Sequence, residues 1–267
     1  MNILEEIIAN KKEEIEQRKE LYPVKLLEKS IHYEAPAVSL KKYLLREDKC
    51  GIIAEIKRKS PSKGLINPHV SIERTSIGYM QAGASALSIL TDENYFGGSN
   101  DDLKLARKFN FCPILRKEFI VDEYQVIEAK SIGADAILLI AAALEPDQIQ
   151  HLSRQAHQLG LEVLMEVHNE EELQYNIHDS VDIIGVNNRD LKTFKTDLET
   201  SVSLSEKIPS EYVKISESGI NDPEDIIYLK KYGFQGFLMG EHFMKQSRPE
   251  KGCAEFISRL KEKIAGC

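Results

Sequence analysis

Short apolar runs alternate with amphipathic stretches from residue 51 to the carboxyl terminus, and this alternation occurs eight times. The apolar runs have the length of buried strands, and the stretches between them have the period of a helix. The predicted strands are residues 51–57, 86–90, 113–117, 134–140, 162–167, 182–187, 213–217 and 236–240. The predicted helices are residues 72–82, 101–108, 122–131, 145–159, 169–176, 199–207, 223–231 and 249–264. Eight strands, each followed by a helix, predict an α/β protein with the architecture of a (β/α)8 TIM barrel.

The segment before this repeat, residues 1–48, has a different pattern. Ile3, Ile7 and Ile8 recur at helical spacing, residues 11–20 are strongly charged, and residues 38–45 give a second short helical pattern. We therefore predict a single barrel domain over residues 1–267, in which residues 1–48 form a helical extension packed on the barrel by its apolar stripe. The rival architecture is an open doubly wound sheet, but no Gly-x-Gly-x-x-Gly pattern opens its first helix.

The composition limits the partners that this chain can take. A net charge of −8 argues against non-specific nucleic-acid binding, which needs a basic surface. No apolar run approaches the roughly 20 residues that a membrane helix needs, and no signal core is visible, so we expect a cytoplasmic protein without membrane contact. Cys50, Cys112, Cys253 and Cys267 include no Cys-x-x-Cys pair, and the histidines show no ligand spacing, so we expect neither disulfides nor a metal site. We expect a monomer because no apolar stripe is left over for a partner.

Polar residues stand at the carboxyl ends of the predicted strands, where barrels of this kind hold their function. They are Glu55 and Lys57 at strand 1, Lys117 at strand 3, Glu166 at strand 5, Asn187 at strand 6 and Glu217 at strand 7. Lys117, Glu166 and Glu217 each stand two positions after an apolar residue, so each caps an apolar column inside the barrel. A rim of mutually satisfied ion pairs is the alternative, but so many such groups at one mouth favour a catalytic site.

Small residues after strands 7 and 8 indicate a phosphate site. Ser218 and Gly219 precede a helix-start signal, and Gly240 and Glu241 end strand 8. Glycines let backbone N–H groups approach an anion, and barrels commonly hold phosphate at these two strands. Lys59 or Ser60, in the polar loop after strand 1, would reach the same anion. His242 is expected in an exposed loop without a catalytic role.

Seven segments of the chain, in order, closely resemble the indole-3-glycerol phosphate synthase family of tryptophan biosynthesis. They are AEIKRKSPS at 54–62, LTDENYFGGS at 90–99, ILRKEFIVD at 114–122, MEVH at 165–168, GVNNRDL at 185–191, SESGI at 216–220 and LMGE at 238–241. The resemblance covers nearly the whole chain, and the first segment is its most diagnostic motif. Glu118 stands where the family pattern leads us to expect Asp, which we interpret as tolerated variation.

The resemblance implies a small anionic substrate, 1-(2-carboxyphenylamino)-1-deoxyribulose 5-phosphate. An enzyme of this family converts the substrate to a product with a closed indole ring and releases CO2 and water, which is a carboxy-lyase reaction. The resemblance implies that Lys117 is the general acid. Lys57 would hold the substrate carboxylate and serve as a second acid, and Glu166 would be the acid/base partner that completes dehydration. No redox step or external nucleophile is required, so we expect no cofactor and no metal.

The remaining site residues receive binding and positioning roles. Glu55 would orient Lys57 or a substrate hydroxyl, and Asn187 and Glu217 would position hydroxyls and intermediates. We assign substrate contacts to Ser60, Phe96, Phe119, Arg189, Leu191 and Leu238, and the phosphate cradle to Ser218, Gly219, Gly240 and Glu241. Phe96 and Phe119 would either pack over the top of the barrel or form the wall of a slot for an aromatic ligand. The sequence favours neither role over the other.

The sequence leaves open two alternative functions and the direction in which the pKa of Lys117 is shifted. A sugar-phosphate isomerase on the same barrel would more naturally place a Cys/Asp or Asp/Asp pair at opposing strand ends, and none stands there. A non-catalytic barrel that binds a phosphorylated ligand would not need Lys57, Lys117 and Glu166 together. The question is the pKa of Lys117, which a facing Lys57 would lower and three nearby carboxylates would raise.

Overall fold

Eight parallel strands close into a barrel in the computed structural model, which describes residues 3–191 and 193–265. The Cys267 thiol considered above lies outside these residues. We number the strands β1 (Ile52–Ile56), β2 (Ala86–Leu90), β3 (Ile114–Lys117), β4 (Ala136–Ile140), β5 (Glu162–Val167), β6 (Ile183–Asn187), β7 (Val213–Glu217) and β8 (Gly236–Met239). They follow one another around the barrel in chain order, and Ile53 of β1 pairs both with Ala86 of β2 and with Leu238 of β8. The predicted barrel fold is therefore confirmed.

Helices alternate with the strands and surround the barrel. They are α1 (Ile3–Leu21), α2 (Val24–Leu27), α3 (Leu40–Leu44), α4 (Ile72–Ala82), α5 (Asn100–Phe109), α6 (Glu123–Ser131), α7 (Pro146–Gln158), α8 (Glu170–Asn176), α9 (Glu199–Ser205), α10 (Pro223–Lys230), α11 (Glu241–Met244) and α12 (Pro249–Ala265). Many begin at a residue whose side chain accepts a hydrogen bond from the first turn, such as Ser71 before α4 and Asp122 before α6. The last helix, α12, packs against α4, so the helical layer also closes.

Two apolar layers hold the barrel together. The inner layer fills the barrel with alternate strand residues, among them Ile53, Leu115, Leu164 and Ile215. Leu40 and Leu44 of α3 belong to the same cluster. The other strand residues face outward into a larger cluster shared with the helices. Because inward positions alternate with outward ones, residues two apart share the barrel interior, as the sequence pattern predicted.

The first two helices of the extension, α1 and α2, pack on the outside of the barrel against α6. Ile15 contacts Leu27 and Tyr124, and Arg18 forms an ion pair with Glu128. Ile7 and Ile15 are buried, in agreement with an apolar stripe. Lys11 is also buried, although the sequence places it in a strongly charged stretch.

The loop after β1 is more ordered than the sequence indicated. Residues predicted as a polar loop form a small antiparallel hairpin, in which Lys59–Ser60 pairs with Gly64–Leu65. Arg58 fixes the start of this hairpin, since its guanidinium donates to the Gly97 carbonyl at 2.8 Å and pairs with Asp102. The predicted strand and helix bounds otherwise differ from the observed ones by a few residues at most.

Candidate active site

A cavity of about 650 Å³ opens at the carboxyl ends of the barrel strands. Every residue that the sequence assigned to the site lines it: Glu55, Lys57, Ser60, Phe96, Lys117, Phe119, Glu166, Asn187, Arg189, Leu191, Glu217, Ser218, Gly219, Leu238, Gly240 and Glu241. Strand register brings their side chains to similar heights, because Asn187 of β6 and Leu238 of β8 both pair with Glu217 of β7. Leu90 and Ile140 supply apolar wall, as predicted.

Lys117 lies in the cavity between two carboxylates. Its Nζ lies 2.8 Å from Glu166 Oε2 and 2.7 Å from Glu217 Oε2. Asn187 Nδ2 donates to the other oxygen of Glu166 at 3.0 Å. Glu166 and Glu217 are buried and the Lys117 side chain is only 14% exposed, so their mutual attraction is screened far less than it would be in water.

The protonation states of this cluster follow from burial and charge. Burial lowers the pKa of Lys117, but the carboxylates of Glu166, Glu217 and Glu55 outweigh it and raise that pKa above its usual value. The carboxylates therefore determine the direction of the Lys117 pKa shift, which the sequence left open. Burial raises the pKa of Glu217 to about 7, with Lys117 opposing and Glu166 contributing. Burial also disfavours charge on Glu166, but Lys117 and His168 lower its pKa below the ordinary value.

Glu55 and Lys57 form a second ion pair beside this cluster. Lys57 Nζ lies 2.8 Å from Glu55 Oε1, and Ser88 Oγ donates to Glu55 Oε2 at 3.3 Å. The space for the Glu55 carboxylate depends on Gly240, because a Cβ at position 240 would lie 2.5 Å from Glu55 Oε1. Gly185 has the same relation to Glu217, whose Oε1 would lie 2.6 Å from an added Cβ. Small residues on neighbouring strands thus make room for two buried acids.

His168 contacts the site residue Glu166 without lining the cavity, and the sequence analysis did not select it. It follows β5 two positions after Glu166, so both side chains leave the strand on the same face. His168 Nε2 lies 3.4 Å from Glu166 Oε1, and Nδ1 lies 3.0 Å from Glu172 Oε2. Burial lowers the pKa of His168, but the two carboxylates raise it to about 10. The imidazolium form therefore prevails at neutral pH, and the same spacing that selected Lys57 after Glu55 would have found this histidine.

The loop after β7 places two consecutive residues in the left-handed region, Ser218 at φ 67° and Gly219 at φ 80°. A serine is strained there, whereas glycine is not. Asn188, buried after β6, holds the turn: its Nδ2 donates to the carbonyls of Glu217 and Ser218, each at 3.0 Å. The sequence did not single out Asn188. This loop leads into α10, whose first turn is capped by Asp222.

Charged groups surround the outer part of the cavity near β8. Glu241 Oε2 lies 3.4 Å from Arg189 Nη2, and Glu241 Oε1 lies 3.5 Å from Lys63 Nζ. Lys59 turns away and donates to the Asn94 carbonyl at 2.7 Å. The expected exposed position of His242 is wrong: the residue lies half-buried in α11, where its ring packs edge-on against Phe243 and Phe256.

The loops after β2 and β3 form an apolar wall of the cavity. Phe96 and Phe119 lie with ring centroids 5.9 Å apart. Next to them, the first turns of α1 contribute Ile3, Leu4 and Ile7 to the lining. The sequence predicted that this stripe packs on the barrel, but not that it reaches the cavity. Tyr95 points to the extension instead, where its hydroxyl donates to Glu6 at 3.1 Å.

Over residues 3–191 and 193–265, no group of three or more His, Cys, Asp and Glu side chains is arranged to hold a metal ion. In the same part of the chain, no helix is long and apolar enough to cross a membrane.

Comparison with known proteins gives a family match over nearly the whole chain. Residues 4–256 match the family model of indole-3-glycerol phosphate synthase. A relative of that name from Bacteroides thetaiotaomicron is 50% identical over 259 residues, which cover 97% of this chain and 99% of the relative. Another from Caldanaerobacter subterraneus is 44% identical over 260 residues, with 97% and 99% coverage. The chain belongs to the indole-3-glycerol phosphate synthase family.

Membership of the indole-3-glycerol phosphate synthase family confirms the resemblance seen in the seven sequence segments. Solved structures support the fold alone. The tryptophan synthase complex of Pyrococcus furiosus contains a chain with a TM-score of 0.60 and 14% identity, which covers 80% of this chain and 99% of its own length. A structure described as native KDPGal has a TM-score of 0.59 and 13% identity, with 83% and 97% coverage. The synthase family thus shares its barrel with proteins of very different sequence.

Proposed function

We propose that this enzyme converts 1-(2-carboxyphenylamino)-1-deoxyribulose 5-phosphate to indole-3-glycerol phosphate, the reaction for which its family is named. The observation that carries the proposal is the position of Lys117. A buried ammonium held by Glu166 and Glu217 in the cavity is a proton donor with acid/base partners in direct contact. Such a group suits protonation of a ketone oxygen during ring closure.

The cavity matches the three chemical parts of this substrate. The aromatic ring requires an apolar slot, for which Phe96 and Phe119 are the natural walls. The ring carboxylate requires a cation, and we assign Lys57, with Glu55 orienting it. The phosphate requires N–H groups and a helix start, which the loop at Ser218 and Gly219 and the Gly240–Glu241 turn before α11 offer. Ser60, Arg189, Leu191 and Leu238 complete the substrate contacts.

The first step forms a bond between the ring carbon that bears the carboxylate and the ketone carbon. As the C=O double bond breaks, its oxygen takes a proton from Lys117. The raised pKa of Lys117 keeps the proton on the amine until the ketone oxygen becomes basic. The carboxylate then leaves as CO2, and its bonding electrons return to the ring. Catalysis arises because the proton donor is already placed when negative charge develops.

Dehydration follows, and Glu166 is the base that we assign to it. A hydroxyl leaves as water with a proton from Lys57, while Glu166 removes a proton to restore the aromatic system. The low pKa of Glu166 keeps this carboxylate ionised and ready to accept. Asn187 fixes its orientation through the 3.0 Å hydrogen bond, and Glu217 positions the intermediate's hydroxyls.

We extend this proposal to the cofactors, the partners and the cellular location of the enzyme. The reaction as written balances without a redox step or an external nucleophile, so we expect activity without added cofactor or metal. We also expect a monomer in the cytoplasm that acts on a small anionic substrate and binds neither nucleic acid nor membranes.

The Lys117→Ala variant tests the assignment of the general acid. We expect kcat to fall by about 10²–10⁴-fold, the usual contribution of a placed acid. Indole formation from the carboxyphenylamino substrate is followed by absorbance, and circular dichroism checks the fold. Lys214→Ala is the matched control, since Lys214 also lies in a strand but donates to the Ser205 carbonyl. Near-full activity of Lys117→Ala would disprove the role, and a wild-type protein that makes no indole would disprove the function.

A further inference from the structure

A buried ionic cluster joins the helical extension to two active-site loops. Lys11 of α1 is almost completely buried, with 3% of its side chain exposed. Its Nζ lies 2.8 Å from Glu14 Oε2, 3.0 Å from Asp92 Oδ2 and 3.1 Å from Glu118 Oε1. An ammonium has three N–H donors, and here each has a carboxylate within reach. Asp92 lies in the loop after β2, and Glu118 in the loop after β3.

Both buried carboxylates also bind the backbone of cavity residues. Asp92 Oδ1 accepts from the amides of Tyr95, at 2.7 Å, and Phe96, at 3.1 Å. Glu118 Oε1 accepts from the amide of Phe119 at 2.8 Å. Each carboxylate therefore faces Lys11 and, at the same time, fixes the main chain of one of the two aromatic walls.

Lys11 also sets the position of the third apolar wall. Ile7 and Ile3 lie four and eight residues before it, so they share its face of α1. Ile3 and Ile7 line the cavity, together with Leu4. A helix whose buried lysine is held by two loops of the barrel carries these apolar side chains to a fixed place at the mouth.

The charges that hold the cluster are strong because they are buried. Burial lowers the pKa of Lys11, but Glu118, Asp92 and Glu14 outweigh it and raise that pKa above its usual value. Burial raises the pKa of Glu118, but Lys11 and Arg116 outweigh it, so that pKa is lowered. Both groups are charged at neutral pH, and loss of one partner leaves the others buried without their counter-ion.

We propose that Lys11 is a positioning residue that assembles the apolar wall of the substrate cavity by holding α1 to the loops of Phe96 and Phe119. This inference rests on the proposed function, since it concerns the slot for the substrate's aromatic ring. It also gives Glu118 a role beyond tolerated variation: its carboxylate links Lys11 to the amide of Phe119.

The test compares Lys11→Met with Lys12→Met, a change at the next residue of α1, which is exposed. Methionine keeps a long unbranched side chain and removes the charge. We expect Lys11→Met to raise KM for the carboxyphenylamino substrate by about tenfold or more, as losing a buried charged hydrogen bond does. We expect kcat to change much less, because Lys117, Glu166 and Glu217 are untouched. Lys12→Met is expected to leave both constants near wild type.

A second substitution separates positioning from simple loss of stability. Adding Glu118→Gln to Lys11→Met removes one unpaired buried charge, while Gln can still accept from the Phe119 amide. We expect the KM of the double variant to lie between those of Lys11→Met and wild type. An unchanged KM in Lys11→Met, or a raised KM that Glu118→Gln does not lower, overturns the proposal. If Lys11→Met does not fold, the double variant is compared with Glu118→Gln alone. Equal KM values for these two variants would overturn the proposed role of Lys11. A wild-type protein without activity would instead overturn the proposed function.

Discussion

The pKa of Glu217 makes this residue sensitive to pH in the neutral range. Its folded-state pKa of about 7 lies above the value of 4.5 for an unperturbed carboxyl. Between these two values the unfolded chain has lost the Glu217 proton and the folded chain has kept it. The free energy of unfolding therefore decreases as pH rises through this interval, and Glu217 stabilises the fold fully only below it.

The Glu217→Gln variant removes this titration, since an amide stays neutral. We expect its free energy of unfolding to fall less than that of wild type between pH 5 and pH 8, and to exceed wild type at pH 8. Urea denaturation at four pH values measures this. Glu255→Gln, a change at an exposed position of α12, is the control. Its free energy of unfolding should vary with pH as that of wild type does. Parallel profiles for Glu217→Gln would show that Glu217 is ionised throughout.

Individual residues differ in how far the sequence reveals them. Glu55, Lys57, Lys117 and Glu166 stand within or directly after strands, where the period of two fixes the direction of a side chain. Lys11 has no such signal, because a lysine in a charged helix is normally solvated and its partners lie in loops 81 and 107 residues later. Burial of that lysine is a property of the assembled barrel, which local pattern does not encode.

The turn between β7 and α10 is the element on which phosphate binding depends in our proposal. Ser218 and Gly219 are both left-handed, and successive backbone N–H groups in a turn can form a concavity that favours anions. Because Asn188 holds the turn from the neighbouring loop, its shape does not rest on its own residues alone.

Ser218→Glu tests this element. A carboxylate at the turn should repel the substrate phosphate, so we expect KM to rise by about tenfold or more with a smaller change in kcat. Ser218→Gly is the control, since glycine adopts the same φ without strain and keeps the backbone N–H groups. Steady-state kinetics on both variants measure KM and kcat. A KM for Ser218→Glu equal to that of Ser218→Gly would show that the phosphate binds elsewhere.

Elements were predictable where their periodicity is long and regular. All eight barrel strands were found because each is a short segment rich in apolar residues, and these segments alternate regularly with helical patterns. The hairpin at Lys59–Ser60 and Gly64–Leu65 was missed since two-residue strands have no period to detect. The short helix α11 was missed for the same reason, and this also misplaced His242.

At the scale of the whole molecule, the monomer stays a prediction. Its exposed large apolar side chains, such as Leu21, Ile31, Leu65 and Phe111, belong to different elements. Stable interfaces usually bury about 1,200–2,000 Å² in one patch. We expect sedimentation velocity at micromolar concentration to give a single species of 30.3 kDa. A dimer would contradict this, and its loss in Phe111→Ser would locate the contact at the most exposed phenylalanine.

The pairing of β1 with β8 constrains when this chain can become an enzyme. During synthesis, Ile53 emerges long before Leu238, its partner across the closing seam. Until the last strand leaves the ribosome, β1 keeps a free edge that can pair with other chains. Closing so long a loop is slow compared with local helix formation. We therefore expect a chain that ends before β8 to lack activity, because its barrel cannot close.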